Sequence, residues 1–279
     1  MTIPGEQDCP FFALTTEPET PIFSYEQPGQ MGTVHHFTLR DEPHDALTIT
    51  ARSDVETLHS KPFADIDLLT EDWAMLSDAG FHARYAEWLA PTALIPLKPL
   101  WPGPPPQSRV FAFAQAVSDA IYNEFQYVPG ATDLSTPLAQ FVAGHRGVCQ
   151  DYAHLMLTTG RRAGIPARYV SGYVYPGKTE GETQGGGATH AWVEFFLPAS
   201  GVWKGFDPTN NIIVADKHIK VAVGRDYADV PPTHGLLRAR PGQRLPRATG
   251  LEVSVQIEPV ADFISLIDEN GRFLARAGG

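Results

Sequence analysis

The amino-acid sequence predicts an α+β fold, because two helical patterns are followed along the chain by several β-rich runs. The helices are predicted at residues 109–125 and 147–162. The β-rich runs that follow them are 167–175, 190–197, 202–206 and 251–258. Short turns such as 198–201 leave no room for a crossover helix, so these strands are expected to pair antiparallel.

Both predicted helices have an apolar face of the kind that packs into a core. In the first helix, apolar side chains recur every three or four residues: Val110, Phe113, Ala114, Val117, Ile121 and Phe125. In the second helix, small and apolar side chains share one face: Cys149, Ala153, Met156, Leu157 and Gly160. The two helices are therefore expected to be buried on at least one side.

The predicted strands alternate between two faces, as side chains of a strand do. One face of the run 190–197 is apolar: Ala191, Val193, Phe195 and Leu197. The opposite face carries His190, Trp192 and Glu194. The run 251–258 alternates apolar with polar residues and is predicted as a last strand, and a glycine-rich loop is predicted at 176–188.

The first third of the chain is predicted to be β-rich. Residues 34–40 and 46–58 are rich in β-branched residues, and a turn at 42–45 separates them, which indicates a small antiparallel sheet. Residues 1–30 show no clear period and are expected to be irregular or extended. A short helical pattern follows within 71–89.

A proline-rich stretch suggests where the chain divides. Seven prolines lie between residues 91 and 106, and such a stretch sustains neither a helix nor a central strand. The expected organisation is a β-rich N-terminal domain at 1–90, an extended connector at 91–108 and a larger C-terminal domain at 109–279.

The composition is that of an ordinary globular protein. Of the 279 residues, 43 % are hydrophobic and 19 % are charged, and the net charge is −11. This acidic balance argues against a nucleic-acid partner, because phosphate binding requires clustered Lys and Arg. No apolar run reaches the roughly 18 residues of a membrane-spanning helix, so no membrane partner is expected.

The two cysteines, Cys9 and Cys149, lie in unrelated segments and do not suggest a disulfide framework. Residues 1–10 have neither the basic start nor the apolar stretch of a secretory signal. A reduced, cytoplasmic setting is therefore expected, in which a lone thiol stays usable.

Cys149 is a candidate nucleophile because of its position. The segment 147–155, Gly-Val-Cys-Gln-Asp-Tyr-Ala-His-Leu, places it at the predicted start of the second helix. Free backbone N–H groups and the positive end of the helix dipole stabilise a thiolate there. An isolated cysteine is more often a small buried apolar residue, so the nucleophile hypothesis depends on a nearby base.

The hairpin predicted around residue 199 supplies a base and a carboxylate. Antiparallel pairing about that centre joins positions whose numbers add to about 398, so His190 is expected opposite residue 208 and next to Asp207. An imidazole beside a carboxylate is the arrangement that a general base and its orienting partner require. Taken alone, Asp207 before Pro208 is also an ordinary turn residue.

Three stretches together, 147–155, 189–194 and 205–210, resemble the motif blocks of bacterial transglutaminase-like proteins. Residues 164–173 also resemble that family's link between its catalytic helix and first strand. The resemblance implies a papain-like (cysteine-proteinase) transglutaminase core, in which a catalytic helix packs on an antiparallel sheet after a small β-rich N-terminal domain. Residues 109–279 are then the catalytic domain, and the implied triad is Cys149, His190 and Asp207.

By this resemblance the chain is expected to be an enzyme that acts through a thioester on its cysteine. Cys149 attacks a peptide-like amide, His190 protonates the departing amine, and Asp207 fixes the imidazole. The second substrate is an amine in a transglutaminase and water in a cysteine protease or amidase, and the sequence does not choose between them. The expected partners are a protein or peptide substrate and an amine acceptor, whereas the oligomeric state stays open.

Two other classes of function are weighed against the enzyme. A non-catalytic protein-binding module of the same fold would be favoured by a missing triad residue, and none is missing. A metal-binding protein is disfavoured, because Asp151 and His154 beside Cys149 lack the paired Cys or His spacing of zinc sites. No cofactor and no metal are therefore expected.

Overall fold

The computed structural model describes residues 1–27, 31–40, 44–58, 63, 66, 72–177, 183–184, 187–236, 242 and 250–260. The α-helices within these ranges are α1 (Ala79–Arg84), α2 (Ala86–Leu89), α3 (Val110–Glu124), α4 (Leu138–Gly144) and α5 (Cys149–Arg162). Short 3₁₀ helices are Trp73–Ser77 and Tyr227–Asp229. The strands are β1 (Gln7–Glu17), β2 (Phe23–Glu26), β3 (Thr33–His36), β4 (Thr48–Thr57), β5 (Gln126–Tyr127), β6 (Arg146–Gly147), β7 (Ala167–Val174), β8 (His190–Leu197), β9 (Val202–Asp207), β10 (Ile212–Ile213) and β11 (His218–Gly224). No helix among the described residues has both the length and the apolar character needed to cross a membrane.

The central sheet has five antiparallel strands in the order β10-β9-β8-β7-β11. The hairpin of β8 and β9 pairs Val193 with Phe206, so the register differs by one residue from the predicted one. Because β8 begins at His190 and β9 ends at Asp207, these two residues lie at the same end of the hairpin. The predicted α+β fold with antiparallel strands is confirmed.

Two predictions about the sheet were wrong. Residues 251–258 form no strand: they are largely exposed, and the Val255 N–H donates to the Gly187 carbonyl. Alternation alone does not make a strand, because a strand also requires a partner strand to pair with. The outer position beside β7 is instead occupied by β11, which the sequence analysis did not predict.

The N-terminal region also differs from the prediction. Residues 1–27 contain two paired strands where irregular or extended chain was expected, since β1 pairs with β4 and β2 pairs with β3. The pairing of β1 is interrupted between Asp8 and Phe11, and neither face of the strand is consistently buried. These features hide the alternation that identifies a strand. The predicted turn at 42–45 and loop at 176–188 lie partly outside the described residues.

The N-terminal residues contact the central sheet at its β11 edge. The Gln7 side-chain amide donates to the Lys220 carbonyl at 2.9 Å and accepts from the Lys220 N–H at 2.8 Å, as a neighbouring strand would. Met31 and Val223 form an isolated backbone bridge further along the same edge. Such pairing covers backbone groups that an open edge strand leaves unsatisfied.

The proline-rich stretch contributes to the core. Residues 91–108 contain no helix or strand, yet the side chains of Ile95 and Trp101 are buried in the same cluster as α3 and α5. The Trp101 indole N–H donates to the Glu124 carboxylate at 2.8 Å. This part of the chain therefore packs against the helices rather than passing through solvent.

The helix that carries Cys149 lies directly on the sheet because of a glycine. A Cβ atom at Gly160 of α5 would come within 2.4 Å of the Phe195 ring on β8. Gly160→Ala is therefore expected to destabilise the fold by about 1–3 kcal/mol through overpacking, as measured by urea unfolding. Gly144→Ala is the matched control, because a Cβ there meets nothing within 4 Å and alanine gains up to about 1 kcal/mol of helix propensity. Equal stabilities for the two variants would contradict this account.

Candidate active site

Cys149 is the first residue of α5, and its thiol is half-buried. Val148 before it is extended, with φ −121° and ψ 176°, so the helix begins abruptly at the cysteine. The Asp151 carboxylate holds this start by accepting the Val148 N–H at 2.8 Å and the Thr132 hydroxyl at 2.5 Å. The first helical N–H groups, including that of Cys149, have no intrahelical acceptor and are available to an anion.

His190 and Asp207 form a buried pair at the open end of the β8–β9 hairpin. His190 Nε2 lies 2.8 Å from Asp207 Oδ2, and both side chains are fully buried. Burial lowers the pKa of His190. The charge and hydrogen bond of Asp207, together with the Cys149 sulfur, raise it by a larger amount, so the net pKa lies above the ordinary value. The structure thus brings the three predicted residues together.

The second ring nitrogen of His190 is left open. Nδ1 is buried and has no hydrogen-bond partner among the residues that the structure describes. With Nε2 occupied by Asp207, Nδ1 is the nitrogen that can exchange a proton with the thiol or with a bound substrate. An unpartnered buried nitrogen costs stability, and a position close to the candidate nucleophile Cys149 would account for that cost.

Asp207 receives hydrogen bonds on both carboxylate oxygens. Oδ1 accepts the backbone N–H groups of Thr209 at 3.0 Å and Asn210 at 3.3 Å. Oδ2 accepts from His190, from the Asn210 amide at 2.8 Å and from His218 Nε2 at 3.2 Å. Burial raises the pKa of Asp207, but the charges and hydrogen bonds of the two histidines lower it well below the ordinary value. The carboxylate is therefore ionised and held in one orientation.

Asn210 and His218 are two site residues that sequence reasoning missed. The Asn210 side chain also exchanges two hydrogen bonds with the backbone of Gln184, which lies in the predicted glycine-rich loop. Asn210 lies within the motif 205–210, and the sequence alone assigned it no separate role. His218 begins the unpredicted strand β11, and the alternating run 218–224 was the available signal for it.

Among the described residues, one cluster of potential metal ligands is found, His190, Asp207 and His218, with one candidate ligand atom from each within 4.8 Å of the others. In the structure, Nε2 of both histidines is directed at the same carboxylate oxygen, Asp207 Oδ2. His154 on α5 is buried instead against Tyr169 and accepts from the Tyr227 N–H; burial lowers its pKa to about 3, as for a neutral core histidine.

Comparisons with known proteins identify the family to which the chain is related. The family model of the transglutaminase-like superfamily matches residues 104–208, a span that contains Cys149, His190 and Asp207. An uncharacterized protein of Mycobacterium leprae is 36 % identical over 249 residues, which cover 85 % of this chain and 82 % of the relative. A protein-glutamine γ-glutamyltransferase of Pseudomonas aeruginosa is 34 % identical over 119 residues, or 37 % of this chain and 17 % of that protein.

A solved structure supports the fold independently. The crystal structure of a candidate cysteine protease from Cytophaga hutchinsonii superposes with a TM-score of 0.62 at 22 % identity. The match covers 81 % of this chain and 74 % of that one. The predicted papain-like, transglutaminase-like fold class is confirmed by these similarities.

Proposed function

This chain belongs to the transglutaminase-like superfamily, and from that premise we propose that it is a cysteine-dependent enzyme that transfers or hydrolyses acyl groups of peptide-like amides. The observation that carries the proposal is the environment of the His190 ring. Its Nε2 is held by a buried carboxylate, its Nδ1 has no hydrogen-bond partner among the residues that the structure describes, and the Cys149 sulfur helps to raise its pKa. These are the features of a base that activates a thiol.

The first half-reaction uses the three residues in sequence. The Cys149 thiolate attacks the amide carbon, and the oxyanion that forms is stabilised by the Cys149 backbone N–H at the start of α5. His190, charged after it accepts the thiol proton, gives that proton to the departing nitrogen as the C–N bond breaks. The products are a free amine or ammonia and a thioester on Cys149. Asp207 keeps the imidazole oriented and stabilises its charged form.

The second half-reaction decides between transfer and hydrolysis. His190 removes a proton from an incoming amine or water, which attacks the thioester and restores the thiol. The similarity to a protein-glutamine γ-glutamyltransferase favours a glutamine carboxamide as acyl donor and a primary amine as acceptor. Cysteine-protease or amidase activity is the alternative, in which water replaces the amine.

The raised pKa of His190 predicts the shape of the pH profile. At high pH, activity falls where His190 loses the proton that the leaving group needs. Because Asp207 and Cys149 raise the pKa of His190 above its ordinary value of 6.5, the falling limb is expected to lie clearly above pH 6.5. A rate that declines with a midpoint near 6.5 would contradict the assigned coupling.

Alkylation of the thiol tests the proposal without a known substrate. Intact-mass measurement is expected to show iodoacetamide modifying Cys149 faster than Cys9. His190→Ala is expected to slow the labelling of Cys149, and Cys149→Ala to abolish the fast phase. Cys9 is an internal control, since it lies on β1 and has no part in the site.

The outcome separates the enzyme from the binding module. If Cys149 labels no faster than Cys9 and ignores His190→Ala, the catalytic hypothesis is wrong and the module is favoured. If fast labelling is found, glutamine peptides with and without a primary amine distinguish the two activities. Ammonia release that requires no amine indicates hydrolysis, whereas incorporation of the amine indicates transfer.

A further inference from the structure

His218 lies against the triad from a strand that the triad itself does not use. It starts β11, pairs across the sheet with Val174 of β7, and its side chain is buried. Its ring stands edge-on to Trp192, with centroids 5.1 Å apart, and 6.4 Å from the ring of His190. The atom that it directs at the site is Nε2, at 3.2 Å from Asp207 Oδ2.

A purely structural role does not explain a histidine at this position. Nδ1 of His218 is buried and has no hydrogen-bond partner among the described residues. A leucine would fill the space beside Trp192 without burying an unpaired nitrogen, which is costly. The polar ring gains one interaction in return, the hydrogen bond to Asp207. That bond is therefore the reason for a histidine here.

We propose that His218 is a positioning residue of the active site, which donates from Nε2 to Asp207 Oδ2 and fixes the carboxylate toward His190. This inference rests on the proposed function, because it concerns the machinery of the same thiol. His218 would be a fourth residue beside Cys149, His190 and Asp207, and it would act only through Asp207.

The shared oxygen explains how His218 exerts this effect. The two histidines reach Oδ2 from β8 and β11, which lie on either side of β7. The Asp207 carboxylate, at the end of β9, is therefore held by hydrogen bonds from two other strands. Without His218, Oδ2 keeps His190 and Asn210 as donors and Oδ1 keeps its two backbone N–H groups, but the carboxylate loses the hydrogen bond that reaches it from β11. The charged groups nearest on β11 do not compete, since Lys220 is paired with Glu194 and Glu6.

The test compares His218→Leu with His218→Gln by iodoacetamide labelling of Cys149 at pH 6. The leucine variant removes the donor, and labelling is expected to slow about tenfold, the lower end of the loss seen when a hydrogen-bond partner that orients a metal-ligating histidine is removed. The glutamine variant carries an N–H at a similar reach, and its rate is expected to recover to within about threefold of the wild type. Thermal unfolding of each variant shows whether it is folded at the assay temperature.

The same pair of variants in an Asp207→Asn background shows whether His218 acts through Asp207. In that background, the Cys149 labelling rates of the leucine and glutamine variants are expected to agree within about twofold, because the carboxylate that accepts the N–H of residue 218 has been replaced. Equal slowing by leucine and glutamine in the wild-type background, or no slowing by either, overturns the proposal. Labelling of the unaltered protein that ignores His190→Ala contradicts the proposed function instead.

A measurement on the unaltered protein covers the case in which His218→Leu does not fold. Histidine-selective ¹⁵N NMR is expected to show His218 protonated at Nε2, with that proton signal moved in Asp207→Asn. A neutral His218 protonated at Nδ1 would leave no N–H for Asp207 and would overturn the proposal.

Discussion

Asp207→Asn is expected to slow iodoacetamide labelling of Cys149 at pH 6 by about 100-fold or more, because the thiolate loses its charged imidazole partner. In the wild type, Asp207 raises the pKa of His190 and so favours the ion pair of thiolate and imidazolium. A neutral amide supplies no such charge. The loss for amide hydrolysis or transfer is expected to be larger still, about 10⁴-fold where the wrong histidine tautomer is enforced.

The amide cannot replace the carboxylate in either orientation. Both oxygens of Asp207 receive only donors: two backbone N–H groups at Oδ1, and His190, His218 and the Asn210 amide at Oδ2. An NH₂ group on the Oδ2 side faces these donors and drives His190 to carry its proton on Nδ1, where it cannot accept the thiol proton. In the opposite orientation, the NH₂ group takes the Oδ1 position and faces the two backbone N–H groups. In both orientations, therefore, the NH₂ group faces hydrogen-bond donors.

Labelling kinetics and thermal unfolding, measured on the same preparations, check this prediction. Cys9 labelling should be unchanged, which shows that the reagent and the fold are comparable. If Asp207→Asn labels Cys149 like the wild type, an oriented amide carbonyl suffices and the charge of Asp207 is not required. That result would also remove the electrostatic basis of the predicted pH profile.

The sequence predicted the part of the site that local geometry determines. A hairpin turn of known length fixes which residues of two adjacent strands lie opposite one another, so His190 and Asp207 were placed within one residue. The start of α5 followed from helix periodicity and placed Cys149 at its tip. In each case the relevant residues are close in sequence or belong to one element.

The parts that were missed depend on pairing between distant segments. β11 joins the sheet beside β7, with the β8–β9 hairpin between them in sequence, so no local signal shows that His218 reaches Asp207. The run 251–258 alternates as well as β11 does, yet it lies outside the sheet. Periodicity alone does not distinguish them, because the choice depends on which segment finds an unpaired edge.

A buried ion network joins the N-terminal region to the face of the sheet opposite α5. The Glu194 carboxylate accepts from Arg168 and Lys220, and Lys220 also pairs with Glu6. The Arg168 guanidinium lies 4.3 Å from the Trp203 ring. Burial raises the pKa of Glu194. Lys220 and Arg168 lower it by a larger amount, so that the pKa falls to about 2. Among the described residues, Glu194 is the acidic group that both buried cations share.

Glu194→Gln is expected to destabilise the protein by about 3–5 kcal/mol, because removing one partner leaves buried charge uncompensated. Arg168 loses its carboxylate, and Lys220 keeps only Glu6. Urea unfolding at pH 7 measures the change. Arg225→Gln is the matched control, since it breaks a half-exposed ion pair with Asp229 and is expected to cost at most about 1 kcal/mol.

The pH dependence of this variant separates charge from packing. A carboxyl group whose folded pKa is depressed stabilises the fold above its unfolded pKa, about 4.5 for glutamate, and that stabilisation is lost as pH falls toward the folded pKa of about 2. The difference in unfolding free energy between wild type and Glu194→Gln is therefore expected to narrow between pH 4.5 and 2. A difference that stays constant over this range would assign the loss to the shape of the side chain, and the network would then hold the N-terminal strands by packing rather than by charge.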